Sequence, residues 1–429
     1  MIRHHTIDGL CMGSGALVDD GSRRGLDPVK AEVMRTHQLR LDSPLPLSHG
    51  DELAKRIYYA SSDIESFRLI EKEQRVVAVE VTTAGEVETA DLARKVNLIN
   101  DRDVLPQRIT HAERVWSSPH SERVADGDVY DQLLALGLVQ EMGQGLIASS
   151  GLFTATLHAL DERIRSLAVG RFGAREHLYP TLISTETLQR GGYLESFPQF
   201  LMSAHRLHAD VDTYSEFVVG DEGAEDVGAL LARHGEHSGY CLPPTMCFHT
   251  YQQFHGERLD SGGTAVTSRG KSFRHESRYS RSVERLWDFT IREMVFFGEG
   301  KEVTDLRQSF LEASCELIDE LGLPGHVEGA NDPFFGDGRN PRRMLAQRLS
   351  GLKYELRLPV EEGRTVSVAS FNAHGTLFGE AFKITLADGT TASSACVGFG
   401  LERFAYSFFC QYGPELGNWP GSVRRALGL

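Results

Sequence analysis

The chain is predicted to fold as α+β: a mostly antiparallel sheet flanked by helices, with a small α/β domain in front of it. Three observations predict this. From Gly239 onward, strand-like stretches (352–358, 365–371, 382–386) alternate with short loops and helices, without the regular beat of a βαβ series. At 429 residues there is room for one large domain and a smaller one. Hydrophobic residues make up 41% and charged residues 24%, an ordinary balance for a packed globular core.

In chain order, residues 1–28 are rich in Gly, Ser and Asp, lack a period, and are expected to be mobile. Residues 29–127 read as the small α/β domain. Residues 52–57 have a helical pattern, 75–82 are β-branched and strand-like, Ala84-Gly85-Glu86 is a turn, and Thr89 is placed to cap a helix through Val96. Residues 117–121 read as a linker, and 128–429 as the large domain. There, Val129, Leu133, Leu134 and Leu136 fall at helical spacing after Asp128, a long helix covers 152–169, and Tyr179-Pro180 leads into a strand.

No apolar run of 18 residues occurs, so no membrane span is expected, and no signal core follows Met1-Ile2-Arg3. The expected location is cytoplasmic. Six cysteines (11, 241, 247, 315, 396, 410) are scattered without a CxxC, which points to burial or metal ligation rather than disulfides. Net charge is −15, and residues 1–127 hold 17 Lys/Arg against 21 Asp/Glu, so no basic arm suited to RNA phosphates stands there.

The chemistry concentrates in two places. Phe273-Arg274-His275-Glu276 is followed by Arg285 and, four residues on, Phe289; far downstream comes Gly398-Phe399-Gly400-Leu401-Glu402-Arg403. These supply arginine forks for phosphate and carboxylate, an adenine-sized aromatic and a carboxylate. Taken singly, Arg274–Glu276 also reads as a surface ion pair and 398–403 as a strand-to-helix turn. Both pieces in this order resemble class II aminoacyl-tRNA synthetases, from about residue 128 to about 410. The resemblance implies that Arg274 bridges the α-phosphate and the substrate carboxylate, and that Glu276 takes the adenine amino group. It also implies that Phe289 stacks on the base with Arg403 on its other face, and that Arg285 lies near the phosphates.

Within that class the chain resembles the seryl branch. Leu242-Pro243-Pro244-Thr245-Met246-Cys247 is similar to L-x-P-T-x-E with Cys247 in place of glutamate. Lys353-Tyr354-Glu355-Leu356 is similar to K-Y-D-L, and Ser370-Phe371-Asn372 to S-x-N. Val366 stands where that branch carries an acidic residue, so the usual magnesium ligand is absent although Mg²⁺ and ATP are both expected. In zinc-dependent relatives two cysteines and a glutamate hold Zn²⁺; the matching positions are Cys247, Glu293 and Cys396, with Cys241 a rival ligand. Three protein ligands leave an open position, which the substrate's α-amino group would fill.

The fullest resemblance is to the amino acid:[carrier protein] ligases. It is carried by residues 192–198, 247–249, 330–335, 370–374 and 396–400. It implies adenylation of a small amino acid and its transfer to the phosphopantetheine thiol of a carrier protein by a homodimer, and it argues against a tRNA acceptor. Asn372, His374 and His249 fall in matched stretches and are candidate substrate contacts; either histidine also reads as a satisfied structural residue. Two rivals stand beside this reading: a zinc-type aminoacyl-tRNA synthetase, and a non-catalytic synthetase-like regulator.

Overall fold

Runs of β-branched and aromatic residues become the strands of this protein. The computed structural model describes residues 34–54, 56–107, 113–121, 125, 127–222, 226–260, 263–276, 282–330 and 351–429. Residues 1–28, Cys11 and the family-like stretch 331–335 lie outside the described residues.

Strands β1 (Met34–Pro46), β2 (Ile64–Lys72) and β3 (Arg75–Ala84) form an antiparallel sheet in the order β1-β3-β2. Leu39, Leu41, Val79 and Val81 close a core with Leu92, Val96 and Ile99 of the Thr89–Ile99 helix. The N-cap of that helix is Glu88, one residue before the expected Thr89. The helical pattern at 52–57 divides into a short helix, Gly50–Ala54, and a 3₁₀ turn, Ile57–Tyr59.

Strand β4 (Arg114–Ser117) pairs with a strand of the large sheet. Beyond it, Ser118 N–H donates to Gly325 O at 2.8 Å, Ser118 Oγ to Leu323 O at 2.8 Å, and His120 Nε2 lies 3.0 Å from Asp319 O. The stretch read as a linker is therefore stitched to its neighbour.

Two small sheets follow: a hairpin of β5 (Val139–Gly143) and β6 (Leu146–Ser149), and β8 (Ile183–Ser184), β9 (Ser203–Leu207) and β10 (Gly235–Cys241) in the order β8-β10-β9. The large sheet adds β7 (Arg175–His177), β11 (Thr264–Phe273), β12 (Asp288–Gly298), β13 (His326–Gly329), β14 (Lys353–Glu361), β15 (Arg364–Gly375) and β16 (Ser393–Gly400). Its order is β4-β13-β14-β15-β16-β12-β11-β7, and every neighbouring pair is antiparallel except β11 with β7. This is the expected α+β architecture.

Residues 382–386 do not form the expected strand. Lys383 has φ 53°, which breaks the extended chain, and Thr385 keeps only isolated bridges to Arg258 and Thr391. The helix expected after Asp128 is Val129–Ala135, and the Asp128 carboxylate caps it by accepting from Tyr130 N (2.9 Å) and Asp131 N (3.2 Å).

The central strands are buried on both faces. Met294 and Phe296 of β12 and Val397 and Phe399 of β16 pack with the helices Gly151–Ser166, Gly300–Glu320 and Leu401–Tyr412. Val295, Phe297 and Cys396 face the other way, under the Cys247–Gln253 and Leu377–Ala381 helices. Among the described residues no helix is long and apolar enough to cross a membrane.

One buried ion pair ties the helical layer to β12. Arg292 donates from Nε and Nη2 to the two Asp161 carboxylate oxygens (2.7 and 2.9 Å) and from Nη1 to Glu176 (2.8 Å). The Arg292 and Asp161 side chains are only 4% and 7% exposed. Asp161→Ala should therefore lower the free energy of unfolding by about 3 kcal/mol, because it leaves two buried guanidinium donors, Nε and Nη2, without their acceptors while Glu176 keeps the third. Arg35→Ala removes an exposed pair with Glu86 and should cost less than about 1 kcal/mol. Urea unfolding of the two variants side by side checks the contrast; equal losses would contradict it.

Candidate active site

Alternation along the strands gathers the site on one face of the sheet. On β12, Phe289, Ile291, Glu293 and Val295 share that face. The register then sets Ser272 opposite Phe289, Glu293 opposite Gly398, Val295 opposite Cys396, Cys396 opposite Asn372, and Ser370 opposite Glu355. A Cβ at Gly398 would lie 3.3 Å from a Glu293 carboxylate oxygen and 3.0 Å from Ile291 Cδ1, so glycine leaves the carboxylate its space.

Cys247, at the start of the Cys247–Gln253 helix, meets Glu293 and Cys396 here. One ligand atom from each lies within 4.8 Å of the others, and all three residues are buried. Thr245 Oγ donates to Glu293 Oε1 and lies 3.8 Å from Cys247 Sγ. The second carboxylate oxygen, Glu293 Oε2, is buried with no partner. Cys241 stands apart, its sulfur 3.7 Å from Thr185 Oγ1, and it is not in the cluster.

Charge is concentrated in this cluster. Burial and then the Cys396 charge push the Glu293 carboxyl up to about 8. The bond to Cys396, followed by burial, raises the Cys247 thiol well above its ordinary range. The same bond, helped by His374 and Asn372, holds Cys396 well below it despite burial. Two sulfurs and an unpartnered carboxylate oxygen in a dry pocket form a donor set that fits a borderline-soft divalent metal.

Asn372 Nδ2 lies 3.6 Å from Cys396 Sγ and 3.2 Å from Ser370 Oγ; His374 Nε2 lies 3.3 Å from Cys396 Sγ. His249 is separate from them. Its ring stacks on Tyr179 at 5.5 Å, its Nε2 is buried without a partner, and burial pushes its pKa down to about 4.

The arginines lie at the other end. Arg274 Nε donates to Pro244 O (3.1 Å), and its guanidinium sits 5.4 Å above the Phe289 ring. Arg285 approaches the Glu276 carboxylate at 3.7 Å, while Glu276 O accepts from Trp287 Nε1 at 2.9 Å. Arg403 donates to the carbonyls of Glu284 (2.6 Å) and Ser367 (3.3 Å). Burial, then the Arg285 charge, holds the Arg403 guanidinium down to about 10. Glu402 accepts from Thr290 N and Oγ1, fixing the start of the Leu401–Tyr412 helix to β12. Val366 packs against the opposite core, where it offers a metal nothing.

Three residues join the site that sequence reasoning did not single out. Thr245 stands two residues before Cys247, inside a stretch already marked. Tyr251, fully buried beside both sulfurs, is one helical turn beyond Cys247 and could have been found by that spacing. Tyr59 belongs to the N-terminal unit and had no signal. Burial and then the Glu276 charge push its phenol up to about 12, and Gln199 hydrogen-bonds to it.

No family model matches the chain. It is similar to the type-2 serine–tRNA ligase of Methanothermobacter thermautotrophicus, 31% identical over 335 residues, which is 76% of this chain and 64% of that protein. It is similar to amino acid–[acyl-carrier-protein] ligase 1 of Bradyrhizobium diazoefficiens, 30% identical over 289 residues, 66% of this chain and 86% of that one. Ligase 2 of the same organism is 31% identical over 257 residues, 58% and 74% of the two chains. Among solved structures, the M. kandleri seryl-tRNA synthetase in its complex with A. aeolicus tRNASec gives a TM-score of 0.67 at 22% identity, over 91% of this chain and 76% of that one. The Naegleria fowleri cytoplasmic serine–tRNA ligase with AMP gives 0.57 at 13% identity, over 79% and 69%. The fold is therefore that of a class II synthetase. A match over 91% of the chain also reaches well into residues 1–127, a region in which the sequence alone shows no familiar motif.

Proposed function

Since the chain belongs to the family of the amino acid–[acyl-carrier-protein] ligases and is similar to the type-2 serine–tRNA ligases, we propose that it activates a small amino acid with ATP and transfers it to the phosphopantetheine thiol of a carrier protein. The observation that carries the activation half of this reading is the Cys247–Glu293–Cys396 cluster on the same sheet face as Arg274; the acceptor half is supported by the likeness to the acyl-carrier-protein ligases and by the acidic charge balance.

An amino acid is a zwitterion, and the face offers one pole for each charge. A carboxylate oxygen of the substrate attacks the α-phosphorus, a new P–O bond forms, and the bond to the bridging oxygen breaks, releasing pyrophosphate. Arg274 neutralises the carboxylate and the α-phosphate as they meet; Arg285 and Arg403 take the outer phosphates, Phe289 the base and Glu276 its amino group. The pantetheine sulfur, as thiolate, then attacks the carbonyl carbon of the mixed anhydride, and AMP leaves with the electron pair of the broken C–O bond.

Zinc would be held by Cys247, Glu293 and Cys396. When bound it supplies a Lewis-acid site for the α-amino nitrogen, which selects an amino acid over a plain carboxylic acid. Mg²⁺ accompanies the nucleotide; Val366 provides no ligand for it. The enzyme acts as a homodimer.

The second reading, charging of a tRNA, is favoured by the 91% structural match to a synthetase taken from a tRNA complex. The acidic chain opposes it: net charge is −15, and 17 basic residues face 21 acidic ones in residues 1–127.

Purified protein should carry about one zinc per chain by elemental analysis. A Cys247→Ser/Cys396→Ser double variant should lose it, and full occupancy in that variant would remove the metal assignment. Arg274→Ala should slow amino-acid-dependent ATP–pyrophosphate exchange by roughly 10²-fold, the usual loss of one transition-state donor; an unchanged rate would displace the ATP site. For the acceptor, enzyme, ATP, Mg²⁺ and the activated amino acid are incubated in parallel with holo carrier protein, apo carrier protein and total tRNA. Mass spectrometry should find the amino acid on the holo carrier alone. Labelled tRNA would establish the second reading, and an absence of exchange with every amino acid would favour a regulator.

A further inference from the structure

His374 lies beside the sulfur cluster rather than in it. Its Nε2 is 3.3 Å from Cys396 Sγ, whereas the ligand atoms that fall within 4.8 Å of one another are those of Cys247, Glu293 and Cys396. It is therefore placed to act on the sulfur and not as a fourth ligand. Asn372, two residues earlier on β15 and directly opposite Cys396 in the ladder, brings Nδ2 to 3.6 Å from the same sulfur.

Packing fixes the imidazole. Its ring meets Phe378 edge-on (4.8 Å, 75°) and Tyr251 likewise (6.4 Å, 86°), and those two rings stack on each other at 4.1 Å. Rotation away from the sulfur would have to displace that stack. When Cys396 is a thiolate it has no proton to give, so His374 Nε2–H and the Asn372 amide are both donors to it.

Two thiolates and a carboxylate around a divalent ion leave one negative charge in excess. Such a metal attracts a neutral amine weakly. Donors directed at one sulfur draw charge out of it and offset the excess. We propose that His374 and Asn372 are positioning residues for the metal: they hold the Cys396 sulfur in aim and weaken it as a donor, so that the ion keeps its affinity for the substrate's amino group. This rests on the metal site proposed above and assigns to His374 and Asn372 a role through Cys396, where sequence had suggested contact with the substrate itself.

The test uses the full-length protein stripped of metal and reloaded with Co²⁺, whose sulfur-to-cobalt absorption reports the electron density on the thiolates. In His374→Phe that band should move to lower energy, and Zn²⁺ affinity measured against a chromophoric chelator should fall by roughly 10-fold or more, the lost aim of the sulfur outweighing its gain in donor strength. The KM for the amino acid should rise more than kcat falls. His374→Gln, which restores an N–H donor, should bring the band back toward its original position. Asn372→Leu should shift the band in the same direction and carries the test if His374→Phe does not fold. Wild-type protein that shows no sulfur-to-cobalt band would dismiss the metal site itself. A normal wild-type band, unmoved in both His374→Phe and Asn372→Leu with Zn²⁺ affinity unchanged, would leave the site standing and overturn the role given to these two residues.

Discussion

The register of β12 is the constraint on which everything else depends. Side chains alternate faces along a strand, so a slip of one residue would exchange Glu293 for Arg292 or Met294 on the working face. The buried pair of Arg292 with Asp161 opposes that slip: it fastens the back of β12 to the Gly151–Ser166 helix, and Glu176 adds a tie to β7. Breaking the register would leave a guanidinium and a carboxylate unpaired in a dry core, a cost of several kcal/mol. The ladder then carries the position outward, because Glu293 is set against Gly398 and Cys396 against Asn372.

On the face so defined, charge is sorted by sign. The sulfur and carboxylate cluster at one end is negative and dry. At the other end Arg274, Arg285 and Arg403 lie close enough that the other two guanidinium charges help push the Arg403 pKa down. Glu276 offsets part of the positive end through Arg285, and both ends are held in place by hydrogen bonds: Arg403 by two backbone carbonyls, Glu293 by Thr245, Cys396 by Asn372 and His374. Charges fixed before the substrate arrives need little reorganisation during reaction. A zwitterion laid across this face meets opposite charge at both of its ends, which a plain acid or a plain amine does not.

The fold class and the grouping of Cys247, Glu293 and Cys396 were legible in the sequence, and long-range placement only partly. Arg274, Glu276, Phe289 and Arg403 stood out as candidates because they fall within short motifs, and the structure sets Arg274 over the Phe289 ring. Cys247 and Cys241 could not be separated by spacing. The fold separates them by giving Cys247 to a helix start above the sheet and leaving Cys241 at the end of β10, against Thr185. The strand-like stretch 382–386 suggested a strand because pattern reading cannot see a left-handed residue such as Lys383. The approach of His374 to Cys396 arises at the shift in β15–β16 register between Ala373 and Gly375, and no local pattern encodes that. Tyr59 could not be found at all: its place beside Glu276 depends on how the N-terminal unit seats on the large domain.

That last contact bears on how acceptors are chosen. In the function proposed above, the activation machinery occupies one face of one sheet, and its groups are assigned to the nucleotide, the amine or the carboxylate. Relatives of this chain carry names with different acceptors, a tRNA in one set and an acyl-carrier protein in the other. A shared activation site cannot make that distinction, so the difference has to lie at the rim, where an incoming arm or strand must pass. The N-terminal unit reaches this rim through Tyr59, close to the Glu276–Arg285 pair. Its acidic balance disfavours a polyphosphate backbone over distances within a Debye length, about 10 Å at moderate salt. On the proposed function, a flexible thiol arm carries far less charge than a tRNA and loses much less by that field.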